Sequence, residues 1–104
     1  MKESEIRKRA IEIITKQGGV AWFPSKVRWK KEQDVFGVFD ILIIYPPSTF
    51  VPIQITTASN MRAREKKILN FYNKFGISIY SEVWGLRKKE KDFKILHIYG
   101  DKQK

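Results

Sequence analysis

One carboxylate interrupts an apolar run of eight residues, Val38-Phe39-Asp40-Ile41-Leu42-Ile43-Ile44-Tyr45, and this run constrains the fold more than any other feature. In an extended strand the side chains of residues 36–45 would point alternately to its two faces, and both faces would carry apolar side chains. This pattern predicts a central β-strand that is covered on both sides. Asp is disfavoured in strands, and burying an unpaired carboxylate costs roughly several kcal/mol. Asp40 therefore needs a compensating partner, either a bound cation or a buried Lys or Arg.

A second apolar run, residues 50–57, carries the polar side chains Gln54 and Thr56 on one face. Residues 46–48 (Pro-Pro-Ser) are turn formers, so the two runs are predicted to form a hairpin. Pairing through this turn brings Asp40 close to Gln54. The polar face of an ordinary edge strand would equally explain Gln54 and Thr56.

Oxygen atoms of three kinds would meet in this hairpin: the Asp40 carboxylate, the Gln54 side-chain amide and the backbone carbonyl of Ile55. Hard divalent ions prefer such ligands, so the expected cofactor is Mg²⁺ or Mn²⁺. Asp34, shortly before Gly37, would add a second carboxylate, although an Asp that begins a turn explains this position equally well.

Two helices are predicted from apolar side chains at helical spacing. The first covers residues 4–17, with Ser4 as its N-cap, and Gly18 and Gly19 end it. The second covers residues 61–75 and ends at Gly76. The apolar stripes are Ile6, Ala10, Ile13 and Ile14 in the first helix and Met61, Ile68, Tyr72 and Phe75 in the second.

Three further strands are predicted, over residues 20–29, 77–86 and 93–99. The resulting order, αβββαββ, predicts an α/β fold with a mixed sheet and flanking helices. The length of 104 residues suits a single domain over residues 1–104. The chain has no apolar run long enough to span a membrane and no signal-peptide pattern, so we expect a cytoplasmic protein.

The charge balance favours a polyanionic partner: 21 Lys and Arg against 11 Asp and Glu give a net charge of +10. The absence of cysteine excludes disulfides and cysteine-based metal sites, and we interpret the single histidine, His97, as structural. A solvated helix face is the alternative explanation for the basic residues of the second helix. The candidate nucleic-acid-binding residues are Lys26, Arg28, Lys30, Lys31, Arg62, Arg64, Lys66 and Lys67.

The chain has three tryptophans, Trp22, Trp29 and Trp84. Exposed aromatic side chains can stack on nucleic-acid bases, but strand tryptophans more often fill the core of a small protein. Trp29 is the best candidate for stacking, because basic residues flank it.

The stretch from Asp34 to Asp40, together with Gln54-Ile55-Thr56, resembles the PD-(D/E)XK nuclease superfamily. That superfamily has an αβββαβ core, a catalytic Asp on the second strand and a (D/E)XK tripeptide on the third. Here Phe39-Asp40 stands for the Pro-Asp, and Gln54-Ile55-Thr56 stands for the tripeptide. Glu5 matches the acidic residue that many members, including archaeal Holliday-junction resolvases, carry on the first helix, and Glu12 competes for that role.

Two residues depart from the pattern of this superfamily. Gln54 replaces the acidic residue of the tripeptide, and its amide oxygen can still bind a metal. Thr56 replaces the lysine that helps to orient or activate the nucleophile. Lys26, Lys30 or Lys66 would have to supply that positive charge instead.

The resemblance implies a restriction-endonuclease-like fold and a Mg²⁺- or Mn²⁺-dependent DNA endonuclease, acting as a homodimer on double-stranded or branched DNA. A catalytically inactive nucleic-acid-binding module on the same fold is the alternative, which Thr56 favours. A third possible function is that of an assembly protein whose basic face binds an acidic protein. The expected catalytic residues are Asp40, Gln54, Thr56 and Glu5, and the expected metal ligands are Asp40, Gln54, Asp34 and the carbonyl of Ile55.

Overall fold

The computed structural model describes residues 3–23, 38–87, 89 and 92–99. The order αβββαββ, the α/β class and the mixed sheet are as predicted. A short 3-10 helix, Ala58–Asn60, connects the third strand to the second helix. The elements are α1 (Glu3–Lys16), β1 (Val20–Trp22), β2 (Ile41–Tyr45), β3 (Thr49–Thr57), α2 (Met61–Phe75), β4 (Ser81–Arg87) and β5 (Asp92–Ile98).

The five strands lie in sequence order in one sheet, with β3 in the centre. Neighbouring strands are antiparallel except β3 and β4, which are parallel and connected through α2. The predicted β2–β3 hairpin is confirmed. The edge-strand explanation of Gln54 and Thr56 is wrong, because both side chains are buried on the central strand.

The two helices cover opposite faces of the sheet. On one face α1 buries Ile6, Ala10 and Ile14 against β2, β3 and β4. On the other face α2 buries Met61, Ile68 and Tyr72 against β4 and β5. No helix of the described residues is long and apolar enough to cross a membrane.

Several predicted boundaries are corrected by the structure. The first helix begins at Glu3, so Ser4 lies inside its first turn and is not the N-cap. The strand predicted from residue 36 begins at Ile41, and the strand predicted from residue 77 begins at Ser81. β1 is observed only to Trp22, and the remainder of the predicted strand lies outside the described residues.

Three apolar side chains that were predicted to be buried are exposed. The Ile44 side chain on β2 is 46% exposed because α2 packs against the other end of the sheet. Trp22 is 55% exposed on the short edge strand β1, whereas Trp84 on β4 fills the core as expected. Phe75 is 59% exposed at the last residue of α2.

A buried hydrogen bond connects α2 to β4: the Tyr72 hydroxyl donates to Ser81 Oγ at 2.7 Å. Burial raises the pKa of the Tyr72 hydroxyl above its ordinary value, an effect that the bond to Ser81 opposes. A raised pKa in the folded state gives stability that is fully present below about pH 10 and is lost as the pH rises through the folded pKa.

We expect Tyr72→Phe to lower the free energy of unfolding by about 1 kcal/mol at neutral pH. The same variant should lose less stability than the wild type when the pH is raised above about 10, because it lacks this ionisable group. Urea unfolding at neutral and alkaline pH measures both effects. An equal alkaline loss in the two proteins would contradict the assignment.

Candidate metal and nucleic-acid site

Asp40 lies immediately before β2, at the open end of the β2–β3 hairpin. Its backbone N–H donates to the Ile53 carbonyl at 2.9 Å. Ile53 is also the partner of Ile41, so Asp40 and Ile41 both lie opposite Ile53, as in a β-bulge. The Asp40 side chain is only 7% exposed.

The predicted meeting of Asp40 and Gln54 is confirmed. Gln54 Nε2 donates to Asp40 Oδ2 at 2.9 Å, and the backbone N–H of Ile55 donates to the same oxygen at 2.8 Å. Both donors are uncharged, so these two bonds hold the Asp40 carboxylate by hydrogen bonding. They fix its position on the β2–β3 hairpin.

The Gln54 side-chain oxygen, Oε1, is buried and has no hydrogen-bond partner among the described residues. An ionised carboxylate has no proton to donate, so the amide must turn its nitrogen towards Asp40, and this fixes the position of Oε1. An unsatisfied buried acceptor costs about 1–3 kcal/mol. A cation or a water molecule bound to Oε1 would remove that cost.

The Ile55 carbonyl lies on the same side of β3 as its N–H, because both groups of one residue in an antiparallel strand point towards the same neighbour. Since the N–H of Ile55 donates to Asp40, the carbonyl faces the same region. A carboxylate, a side-chain amide oxygen and a backbone carbonyl are therefore available on this side of the hairpin. This oxygen set suits Mg²⁺ or Mn²⁺.

Thr56 lies two residues beyond Gln54 on the same face of β3 and is 7% exposed. Its neighbour in β4 is Gly85, on which the 3-10 helix and the start of α2 pack. The side chain at the position where the sequence resemblance expects a lysine is therefore enclosed and uncharged.

Glu5 is on α1, which packs against the opposite face of the sheet from Gln54. It lines a shallow surface depression together with Lys8, Arg9 and Glu12. The two acidic candidates on α1 therefore lie together, and the structure does not place them on the face that carries Gln54.

Six candidate residues lie outside the described residues: Lys26, Arg28, Trp29, Lys30, Lys31 and Asp34.

Within the part of the chain that the structure describes, no group of three or more His, Asp or Glu could hold a metal ion.

Aromatic contacts orient α2 above the sheet. Phe71 packs edge-on against Phe39, next to Asp40, with 6.5 Å between ring centroids, whereas Tyr72 faces β4 through Ser81. Arg64 precedes Phe71 by seven residues, which is about two helical turns, so the two side chains share the edge of α2 nearer to Asp40.

The other basic residues near the start of α2 differ in their exposure. Lys66 is exposed and lies roughly 140° around the helix from the buried stripe, so it points to solvent. Arg62, with its side chain 83% exposed, forms an ion pair with Glu65 at 3.1 Å. Lys67 is partly buried and precedes Phe71 by four residues, so it lies on the same edge of the helix as Arg64. Arg64, also partly buried, and Lys67 are thus the basic residues of α2 on the edge nearer to Asp40.

His97 belongs to a separate hydrogen-bonded group on β4 and β5. Its Nδ1 lies 2.5 Å from the Tyr80 hydroxyl and 3.6 Å from Glu82 Oε2. The Tyr80 hydroxyl also donates to Glu82, and Trp84 Nε1 donates to the other oxygen of Glu82 at 2.8 Å. Burial and the neighbouring Glu82 raise the pKa of Tyr80. This group agrees with a structural role for His97.

No family model and no curated protein matches the chain. A similar solved structure is that of Hjc, a Holliday junction resolvase from the archaeal hyperthermophile Archaeoglobus fulgidus. It is 14% identical with a TM-score of 0.43, and the match covers 94% of this chain and 88% of that one. The function is therefore argued from the residues of this chain.

Proposed function

We propose that this chain is a metal-dependent DNA endonuclease of the PD-(D/E)XK type, formed by a single nuclease-like domain over residues 1–104. The observation that carries the proposal is the pairing of the buried Asp40 carboxylate with Gln54, whose amide oxygen has no partner among the described residues. The αβββαββ order and the position of this pair, immediately before β2 and on β3, support it.

Asp40, Gln54 Oε1 and the Ile55 carbonyl would hold Mg²⁺ or Mn²⁺, with Asp34 as a candidate second carboxylate. Mg²⁺ commonly binds through one or two carboxylates and completes its shell with water and substrate phosphate oxygens, so a small protein donor set fits. Such an ion polarises the phosphate and makes a bound water a better nucleophile. Asp40 contributes the negative charge, and Gln54 and Ile55 hold its carboxylate in position.

Arg64 is our candidate for the positive charge that Thr56 does not provide. An arginine can donate two parallel hydrogen bonds to a phosphate, and α2 directs this side chain towards the strand of Asp40. Lys66, which the sequence suggested for this role, faces solvent. Arg64 would contact the phosphate on the side of the site away from β4.

We expect Arg64→Ala to lower the rate of DNA cleavage by roughly tenfold to a thousandfold, because it removes a charge that stabilises the transition state. Lys66→Ala is the matched control, since it removes one positive charge from the same helix but from its solvent side. Single-turnover cleavage measures the difference. Equal losses in the two variants would show that only the overall charge of α2 matters.

The proposed function is tested by incubating supercoiled plasmid and a four-way junction with the protein in Mg²⁺, Mn²⁺ or EDTA, beside Asp40→Ala. Cleavage that requires the metal and is lost in the variant is the expected result. No cleavage by either protein under any of these conditions, with both binding DNA equally, contradicts the proposal. A homodimer would present two sites to two strands, and sedimentation at equilibrium tests that part.

A non-catalytic nucleic-acid-binding module is the second candidate function. Thr56 at the lysine position favours it, as does the use of Asp40 Oδ2 as an acceptor for two protein donors. It predicts DNA affinity that falls steeply with salt and needs no metal. Equal affinity for DNA and for another polyanion of matched charge would instead indicate an acidic protein partner.

We expect Gln54→Glu to increase the stabilisation of the protein by Mn²⁺. Two carboxylates within about 3 Å repel each other without metal, so the melting temperature in EDTA should fall, and Mn²⁺ should restore it. Differential scanning calorimetry with and without Mn²⁺ measures the effect. The same change combined with Asp40→Asn is the control, and a Mn²⁺ response that persists there would place the metal elsewhere.

A further inference from the structure

An apolar surface lies open to solvent on the α2 side of the sheet, over β1, β2 and β3. Residues two apart on a strand share a face, and the strand register aligns four large exposed side chains there. Patches of exposed apolar side chains on soluble proteins commonly mark a binding surface. The stacking surface, as we call it, consists of Val20 (60% exposed), Trp22 (55%), Ile44 (46%) and Phe50 (50%).

The stacking surface adjoins the proposed metal site. Ile44 pairs with Val20 on one side and Phe50 on the other, forming the outer row of side chains. The next row contains Leu42 and Trp22, and the one after it contains the Asp40–Gln54 pair. Successive rows on one face are about 7 Å apart, so Trp22 lies one row from the site, whereas on β3 the buried Pro52 separates Phe50 from Gln54.

The occupant that fits the charge and the side chains is a polyanion that also presents flat apolar faces. The chain carries a net charge of +10, which attracts phosphates, and two members of the surface, Trp22 and Phe50, are aromatic. Bases of single-stranded nucleic acid stack on such side chains irrespective of sequence. Bases inside a duplex are stacked on each other and have no face to offer.

We propose that the stacking surface binds unpaired nucleotides, with bases against Trp22 and Phe50. The substrate class of the nuclease is then DNA with a single-stranded segment beside the cleaved phosphate. That second statement rests on the proposed function for the position of the phosphate, whereas binding of unpaired bases does not depend on cleavage. A second copy of this chain is the rival occupant of the surface.

The test is fluorescence anisotropy in EDTA, where no metal-dependent cleavage occurs, with three labelled probes of equal phosphate number. They are an oligothymidylate, the corresponding abasic strand and a blunt-ended duplex. Trp22→Ala should weaken binding of the oligothymidylate by about tenfold and leave binding of the abasic strand unchanged. Phe75→Ala is the matched control, because it removes a similarly exposed aromatic side chain from α2.

Equal affinity of the wild type for the oligothymidylate and the abasic strand would overturn the proposal, as would a Trp22→Ala variant with unchanged binding. Self-association that Trp22→Ala abolishes without any effect on the oligothymidylate would assign the surface to a second copy. Selective binding of unpaired DNA by a protein that never cleaves would remove the proposed function and leave this inference intact. Circular dichroism confirms that both variants are folded.

Discussion

Replacing Asp40 by asparagine is expected to lower the rate of metal-dependent DNA cleavage by at least about a hundredfold, with little change in stability. The asparagine oxygen can still accept the hydrogen bonds from Gln54 Nε2 and the Ile55 N–H, which now reach Asp40 Oδ2 at 2.9 and 2.8 Å. The variant loses the negative charge that would attract the divalent ion. Cleavage falls because the ion is lost, while the hairpin remains formed.

Single-turnover cleavage across a Mn²⁺ titration is the measurement, with urea unfolding in EDTA as the control for folding. We expect the free energy of unfolding to change by about 1 kcal/mol or less. Cleavage by Asp40→Asn at the wild-type rate would show that the reaction takes place elsewhere on the chain. A variant that fails to fold would show that the charge of Asp40 is needed for folding.

Replacing Gly85 by valine is expected to destabilise the protein by about 3 kcal/mol. Gly85 is buried on β4 between Thr56 and Lys94. A Cβ atom there would overlap the Met61 side chain and approach the Ala58 Cα to 3.0 Å. The branched side chain would therefore push the 3-10 helix and the start of α2 off the sheet. This loss is a large part of the stability of a typical small domain.

Urea unfolding of Gly85→Val, Gly85→Ala and the double variant Gly85→Ala/Met61→Ala tests this contact. Alanine should cost less than valine, because the flexible Met61 side chain can shift. In the double variant the cost of Gly85→Ala should fall further, since the space left by Met61 accepts the new methyl group. Strictly additive effects of the two substitutions would contradict the close approach.

The sequence determined the parts of the fold and site that depend on neighbouring residues. The hairpin from β2 to β3 turns within residues 46–48, and this short connection brings the Asp40 and Gln54 side chains together. The bounds of α2 follow similarly from helical spacing and from Gly76, whose φ of 65° suits glycine. The sequence does not locate the start of α1, because Ser4 in the first turn is a residue type that also caps helices.

Tertiary structure decided how these elements cover one another. Trp22 has a large apolar side chain of the kind that usually fills a protein core. However, α2 packs over β4 and β5 and leaves β1 exposed on that face. Glu5 lies at the expected place in α1, yet α1 packs on the face of the sheet opposite Gln54. Phe71 turns the edge of α2 that carries Arg64, rather than Lys66, towards Asp40.

The sequence by itself therefore determined the α/β order, the hairpin and the Asp40–Gln54 pair, because local spacing and a short turn fix them. Only the tertiary structure decided which side chains share a face with that pair. Packing of the helices depends on contacts between residues far apart in the chain, and no periodicity within one segment records which part of the sheet a helix will leave uncovered.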